Sequence, residues 1–236
     1  MGSMGLCESG VLVLALRSTV ALFDAAKDTL DVIASVVHAK PNMRFNDGKV
    51  GPDGAFWVGS MDGSGDADPG GALYRIAPDG NTSFIASRLR ASNGLAWDAT
   101  GTRMYHSDSQ GPWIDVLDFD PRTGAAVNRR RWINLDEAKG RPDGGACDSK
   151  GDYWSAGISA SRINRFSAGG ELLDWVEVPN LMPTMPCFGG VDFRTVFVTS
   201  LSGAADVQTL TDFPHCGKIV SFLSDVPGLP GWRFRR

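Results

Sequence analysis

Four glycines punctuate this chain at near-equal intervals, and that spacing restricts its fold more than any other feature. Gly48, Gly94, Gly144 and Gly190 lie 46, 50 and 46 residues apart. They sit in Asp47-Gly48, Asn93-Gly94, Asp143-Gly144 and Gly189-Gly190, each opening a short apolar run. A second-strand aromatic follows in every copy: Trp57, Tyr105, Trp154 and Phe197, spaced 48, 49 and 43 residues. Two features keeping one period point to a stacked array of a single repeated unit.

Within a copy the apolar runs are short and bounded by turns. Lys49-Val50 leads to Pro52-Asp53-Gly54, then to Phe56-Trp57-Val58-Gly59. After a Gly/Asp-rich loop come Ala72-Leu73-Tyr74-Arg75-Ile76, a second turn at Pro78-Asp79-Gly80, and a fourth strand over residues 82–86. Proline presets φ and glycine accepts positive φ, so Pro-Asp-Gly between apolar runs connects strands. Four short strands per repeat of this length are the pattern of a propeller blade. The expected fold is therefore all-β, a β-propeller with about five blades, forming a single domain over residues 1–236. Residues 29–37 carry enough β-branched side chains to be assigned as strand.

The start of the array looks incomplete. Residues 11–16, 20–23 and 30–35 read as the last three strands of a blade. Residues 1–9 are few and poor in strand formers, so the array is expected to begin mid-blade.

Composition excludes several functions. A formal net charge of −4 and a pI near 5.3 offer no positive field for phosphates, so neither nucleic acid nor a membrane surface is an expected partner. Arg129-Arg130-Arg131 reads as a solvated strand edge, and Arg233, Arg235 and Arg236 as a frayed tail. No apolar stretch approaches the roughly 20 residues of a spanning helix, and residues 11–16 lack the flanks of a secretory signal. Cys7, Cys147, Cys187 and Cys216 are scattered without C-x-x-C pairing, consistent with reduced, mostly buried thiols and a cytoplasmic location. His38, His106 and His215 are isolated, so a zinc cluster is not expected.

In a propeller the innermost strands line a channel and begin at one of its mouths. Asp47, Asn93, Asp143 and Gly189, each preceding a repeat glycine, should then occupy equivalent places around one axis. Three oxygen-bearing side chains converging there suit a hard divalent cation. Asp-Gly and Asn-Gly are also ordinary turn dipeptides, which leaves that reading open.

Arg44-Phe45-Asn46-Asp47-Gly48-Lys49, with Asp53-Gly54 and Trp57-Val58-Gly59-Ser60-Met61-Asp62, resembles the gluconolactonase/regucalcin-like family of sugar-lactone hydrolases. Gly71-Ala72-Leu73-Tyr74-Arg75, Ser92-Asn93-Gly94-Leu95-Ala96-Trp97, Asp108-Ser109, Arg141-Pro142-Asp143-Gly144, Phe188-Gly189-Gly190 and Val198-Thr199-Ser200 extend the likeness in order over residues 10–232. The resemblance implies a propeller of the six-bladed family type holding one divalent cation (Ca, Mg, Mn or Zn) at the channel mouth. It implies Asn93 and Asp143 as metal ligands, Asp143 as catalytic base, and Arg44 and Asn46 as contacts to a sugar lactone. The family's first blade, with its glutamate ligand, has no counterpart here. Glu8 does not match that motif, and Asp66 and Asp68 do not align cleanly with an acidic family position. A reading from another class is a propeller that binds a cation or small molecule without turnover. Residues 62–70 and 108–113 are the expected loops at the mouth.

Overall fold

A computed structural model describes residues 1–203 and 207–236. Five antiparallel sheets succeed one another along the chain. Blade 1 comprises β1 (Ser3–Leu6), β2 (Leu12–Ala15), β3 (Thr19–Asp24) and β4 (Thr29–Ser35). Blade 2 is β5 (Arg44–Val50), β6 (Phe56–Met61), β7 (Gly71–Ile76) and β8 (Thr82–Leu89). Blade 3 is β9 (Ser92–Trp97), β10 (Arg103–Asp108), β11 (Trp113–Asp120) and β12 (Ala125–Asn134). Blade 4 is β13 (Pro142–Cys147), β14 (Tyr153–Gly157), β15 (Arg162–Phe166) and β16 (Leu172–Glu177). Blade 5 has three strands, β17 (Pro183–Gly189), β18 (Thr195–Ser200) and β19 (Val220–Leu223), with the short helix α1 (Val207–Asp212) inserted before the last. No described helix is long and apolar enough to cross a membrane.

Blades 2, 3 and 4 are buried on both faces, which is why their central strands read as near-continuous apolar runs. Side chains alternate between the two faces with the strand period of two. Phe56 and Val58 pack toward blade 1, whereas Trp57 between them packs on Leu95, Trp97 and Met104 of blade 3. Tyr105 likewise meets Cys147 and Tyr153 of blade 4, and Trp154 meets Phe188 of blade 5. Four apolar clusters thus fill the four interfaces between consecutive blades. Phe197 holds the corresponding position in blade 5, and with no further blade packed on it among the described residues it is 42% exposed. Met4 and Leu6 are exposed on the outer face of blade 1 for the same reason. Innermost strands pack in sequence from β1 to β17, and among the described residues no comparable contact joins β17 back to β1.

Two expectations about the ends are corrected. The array does not begin mid-blade: β1 pairs with β2 from Ser3↔Ala15 to Leu6↔Leu12 and supplies the innermost strand. Gly5, with no side chain, lets that strand approach Val50 of blade 2. The arginine-rich end is not frayed. Residues 224–236 run under the ends of the innermost strands, from Leu229 N–H donating to Cys147 O (3.2 Å) to Phe234 N–H donating to Leu6 O (2.8 Å). Phe234 is fully buried, Arg235 N–H donates to Gly54 O (3.1 Å), and Arg236 O accepts from Ser9 N–H and Oγ–H. Arg129 and Arg131 also do more than edge a strand. Both grip the buried Asp115 carboxylate, at 2.7 and 2.5 Å, and both lie over the Trp113 ring.

Candidate active site at the channel mouth

Asn46 and Asp143 lie in bulges near the starts of their innermost strands, and Asn93 lies beside one. In blade 2, Phe45 pairs with Ser60 and Gly48 with Val58, so Asn46 and Asp47 fall in the irregular step. In blade 4, Pro142 pairs with Gly157 and Gly145 with Ser155, which leaves Asp143 and Gly144 there. Blade 3 shifts register beside Asn93, between its Tyr105 and Ser107 pairings. A bulge re-aims a side chain out of the pleat. Asp-Gly and Asn-Gly therefore mark irregular steps inside strands, not hairpin turns. Gly94 is required for this at φ +66°, where a Cβ would also meet Ser107 Oγ at 2.5 Å.

The register corrects the phasing read from the glycines. Asn46, not Asp47, is the counterpart of Asp143, and Asp47 matches Gly144. Gly189 is no mouth residue, because it ends β17; the blade 5 bulge holds Thr184 instead. Thr184 was missed because it carries no glycine, although Pro183-Thr184 parallels Pro142-Asp143 in the sequence. Asp47 turns inward, where its Oδ2 accepts from Leu95 N–H at 3.1 Å and ties blade 2 to blade 3. Burial raises its pKa, partly countered by the Lys49 cation.

Of the four residues singled out from the sequence, Arg44, Asn46 and Asn93 are joined by hydrogen bonds, and Asp143 is reached through the residue before it. Arg44 Nη1 donates to Asn46 Oδ1 at 3.0 Å. Asn46 Nδ2 donates to Asn93 Oδ1 at 3.1 Å and to Ser92 O at 3.0 Å. Asn93 Nδ2 donates to Ser109 Oγ at 2.6 Å, and Ser109 Oγ–H donates to Pro142 O at 2.5 Å. This relay crosses blades 2, 3 and 4 and ends at the residue preceding Asp143. Ser109 was seen in the sequence only as part of a motif; its bridging role depends on a contact between blades.

Beneath Asn93 lies a second pair that sequence reading did not find. Ser92 Oγ and His106 Nε2 are 2.8 Å apart in a dry interior. Burial, reinforced by the Arg129 cation, pushes the His106 pKa down to about 3, so the imidazole is neutral. Its Nδ1 has no partner. Beside the mouth, Lys40 Nζ pins the loop after β6 by donating to Asp62 Oδ2 (2.7 Å), Ser64 Oγ (3.2 Å), Asp66 Oδ2 (2.8 Å) and Asp68 O (2.9 Å). Asp66 and Asp68 are thus engaged with Lys40 on the outer loop.

Asp143 differs from the other carboxylates around it. It is half-buried, and no side chain among the described residues hydrogen-bonds to it. Burial and then the Asp47 carboxylate raise its pKa to about 8, while Arg141 and Arg44 act only as more distant positive charges. A carboxylate so placed is disfavoured in its charged form unless a cation joins it. The nearby Asn93 amide oxygen is of the hard-oxygen type that Ca²⁺ and Mg²⁺ take, and in this structure it accepts a hydrogen bond from Asn46. No three His, Cys, Asp or Glu side chains cluster as a metal site among the described residues. Glu8 is exposed in the turn after β1, at the opposite end of the innermost strand, so it takes no part here.

Residues 1–202 match the family model described as SMP-30/Gluconolactonase/LRE-like region. The chain is 36% identical over 230 residues to the 6-deoxy-6-sulfogluconolactonase of Pseudomonas putida, covering 97% of this chain and 78% of that protein. Regucalcin of Xenopus laevis is 34% identical over 226 residues, covering 93% of this chain and 75% of that one. The structure of a calcium-binding protein, regucalcin, from Agrobacterium tumefaciens superposes with a TM-score of 0.92 at 26% identity, over 99% of this chain and 79% of that one. With the motifs in order, the blades in place and the Arg44–Asn46–Asn93 constellation assembled at the mouth, the chain belongs to the SMP-30/gluconolactonase family.

Proposed function

We infer that this protein hydrolyses a sugar lactone at the channel mouth with the help of one divalent cation. The observation that carries the reading is the hydrogen-bonded relay from Arg44 to Ser109, which ends beside a carboxylate with no side-chain partner. Lactone hydrolase chemistry in general is supported by relatives such as the sulfogluconolactonase. The cation, the residue roles and the sugar lactone as substrate belong to this proposal.

Asn93 and Asp143 would hold the cation, which when bound polarises the lactone carbonyl and returns Asp143 to its carboxylate form. Arg44 and Asn46 orient the sugar by hydrogen bonds to its oxygens, and Arg44 offsets negative charge developing on the carbonyl oxygen. Asp143 accepts a proton from the water that adds to the carbonyl carbon. The bond from that carbon to the ring oxygen then breaks. The ring oxygen leaves as a hydroxyl after taking that proton back from Asp143, and the product is an open-chain sugar acid. Asn46 is held by both Arg44 and Asn93, so the substrate-facing and cation-facing groups are mutually fixed.

A second reading is favoured by the small number of charged donors at the mouth: the protein binds a cation or small molecule there without turnover. Hydrolysis of a panel of aldonolactones separates the two, with Mg²⁺, Ca²⁺, Mn²⁺ or Zn²⁺ restored after chelation. Metal-dependent turnover that is abolished in a folded Asp143→Ala variant supports the enzyme. Turnover that survives this substitution removes Asp143 from the mechanism. No metal-dependent turnover with any lactone leaves the binding reading.

A further inference from the structure

Blades 2, 3 and 4 treat one repeated position differently. In blade 2 the central Trp57 donates its indole N–H to Asp53 in the preceding turn (3.1 Å), and Arg75, its neighbour on β7, donates to the same carboxylate (2.6 Å). Blade 4 repeats the device: Trp154 donates to Asp148 at 2.9 Å, and Arg165, its partner on β15, lies 3.4 Å from that carboxylate. Blade 3 lacks both donors. Tyr105 stands in the tryptophan position and its partner on β11 is Val116. Asp98, in the corresponding turn, is satisfied by the Thr102 and Arg103 amides and the Thr100 hydroxyl.

An open groove of about 450 Å³ lies at this place between blades 3 and 4, away from the mouth and lined by Asp98, Arg103, Tyr105, Asp118, Arg130 and Lys150 among others. Tyr105 is fully buried, and its hydroxyl meets no partner at hydrogen-bonding geometry, although the Arg103 guanidinium is near. A buried hydroxyl without a partner is costly, and native structures rarely keep one without a reason. Both acids lining the groove are engaged. Asp98 is held as described, and Asp118 accepts from Arg130 at 2.8 Å and from Asn128 at 2.9 Å. Arg103 uses one N–H on Ala168 O (2.7 Å), while the exposed Lys150 ammonium has no partner among the described residues. Three cations against two engaged carboxylates, with Thr100 and Thr102 hydroxyls and an unused phenol, suit a small negatively charged ligand.

We propose that this groove binds a small oxyanion, a carboxylate or a phosphate, with Tyr105 and Lys150 as donors. The proposal is independent of the lactonase reading, because none of these residues belongs to the mouth. Isothermal titration of the intact protein with inorganic phosphate and, separately, with gluconate tests it, with glucose as the uncharged control. Saturable binding of either anion but not of glucose is expected, and the tighter of the two identifies phosphate or carboxylate as the natural group. Lys150→Gln should weaken binding about tenfold, the size typical of losing one charge-assisted hydrogen bond. Tyr105→Phe should weaken binding while leaving the ligand-free melting temperature unchanged or higher, since it removes only the unsatisfied hydroxyl. Absence of saturable binding up to about 10 mM, a range in which weak sites near 1 mM still register, would overturn the proposal. So would binding that is lost in Arg44→Gln but kept in Lys150→Gln, which would place the anion at the mouth.

Discussion

His106 should make this protein sensitive to mild acid, by an amount the structure allows to be worked out. Its ring is buried, bonded through Nε2 to Ser92, packed edge-on to Trp113 at 6.0 Å, and close enough to the Arg129 cation for a second positive charge to be opposed. Asp115, its register partner on β11, is already held by Arg129 and Arg131. The folded pKa is about 3, whereas an unfolded histidine titrates near ~6.5. Between those values the unfolded chain binds a proton that the folded one refuses. Stability from this residue is therefore intact above about pH 6.5 and falls as pH drops toward 3, by about 1.4 kcal/mol per unit. At pH 5 the loss relative to pH 7.5 is about 2 kcal/mol. The raised pKa values of Asp47 and Asp143 act in the opposite direction, since the folded state holds their protons more tightly. A comparison of wild type with His106→Gln cancels them. Urea unfolding of both proteins at pH 7.5, 6.5, 5.5 and 5.0 should show wild type losing about 2 kcal/mol more than the variant across that range. Parallel profiles, whatever their offset, would refute the assignment of a buried neutral imidazole.

Three further outcomes follow from the packing. Asp53→Ala leaves the Trp57 indole and the Arg75 guanidinium without their shared acceptor and should cost about 3 kcal/mol in chemical denaturation. Phe234→Ala empties a fully buried site between blades 1 and 2 and should lower stability by about 3–5 kcal/mol, read as a shifted urea midpoint at an unchanged slope. Lys40→Gln removes the ammonium that pins residues 62–70; their amides should exchange faster while the melting temperature moves little, and unchanged exchange would show that the loop is held by other contacts.

Much of the fold was legible because it is local. Turn glycines and one central aromatic per blade recur in the sequence, and Trp57, Tyr105 and Trp154 do occupy matching places between neighbouring blades. Arg44, Asn46, Asn93 and Asp143 were legible through motif likeness, and the hydrogen bonds link the first three directly, with Ser109 carrying the relay to the residue before Asp143. The exact register was not legible. Whether Asn46 or Asp47 faces the mouth depends on where a strand takes up an extra residue, and a one-residue slip moves a side chain to the other face. The innermost strand of blade 1 was missed because Ser3-Met4-Gly5-Leu6 lacks β-branched residues; pairing with β2 and close packing on Val50 override weak propensity. The buried Phe234 was hidden among arginines, and only its distant partners reveal it.

The segment beneath the blades also sets a timetable. Ser9 finds its acceptor on Arg236, 227 positions further along the polypeptide. During translation, the earliest sheet must therefore emerge and wait with Glu8 and Ser9 amides still hydrated until that distant stretch leaves the ribosome. Such long-delayed partnering slows folding, and it makes the strap beneath the blades, not any single sheet, the step that locks early- and late-made parts into one body.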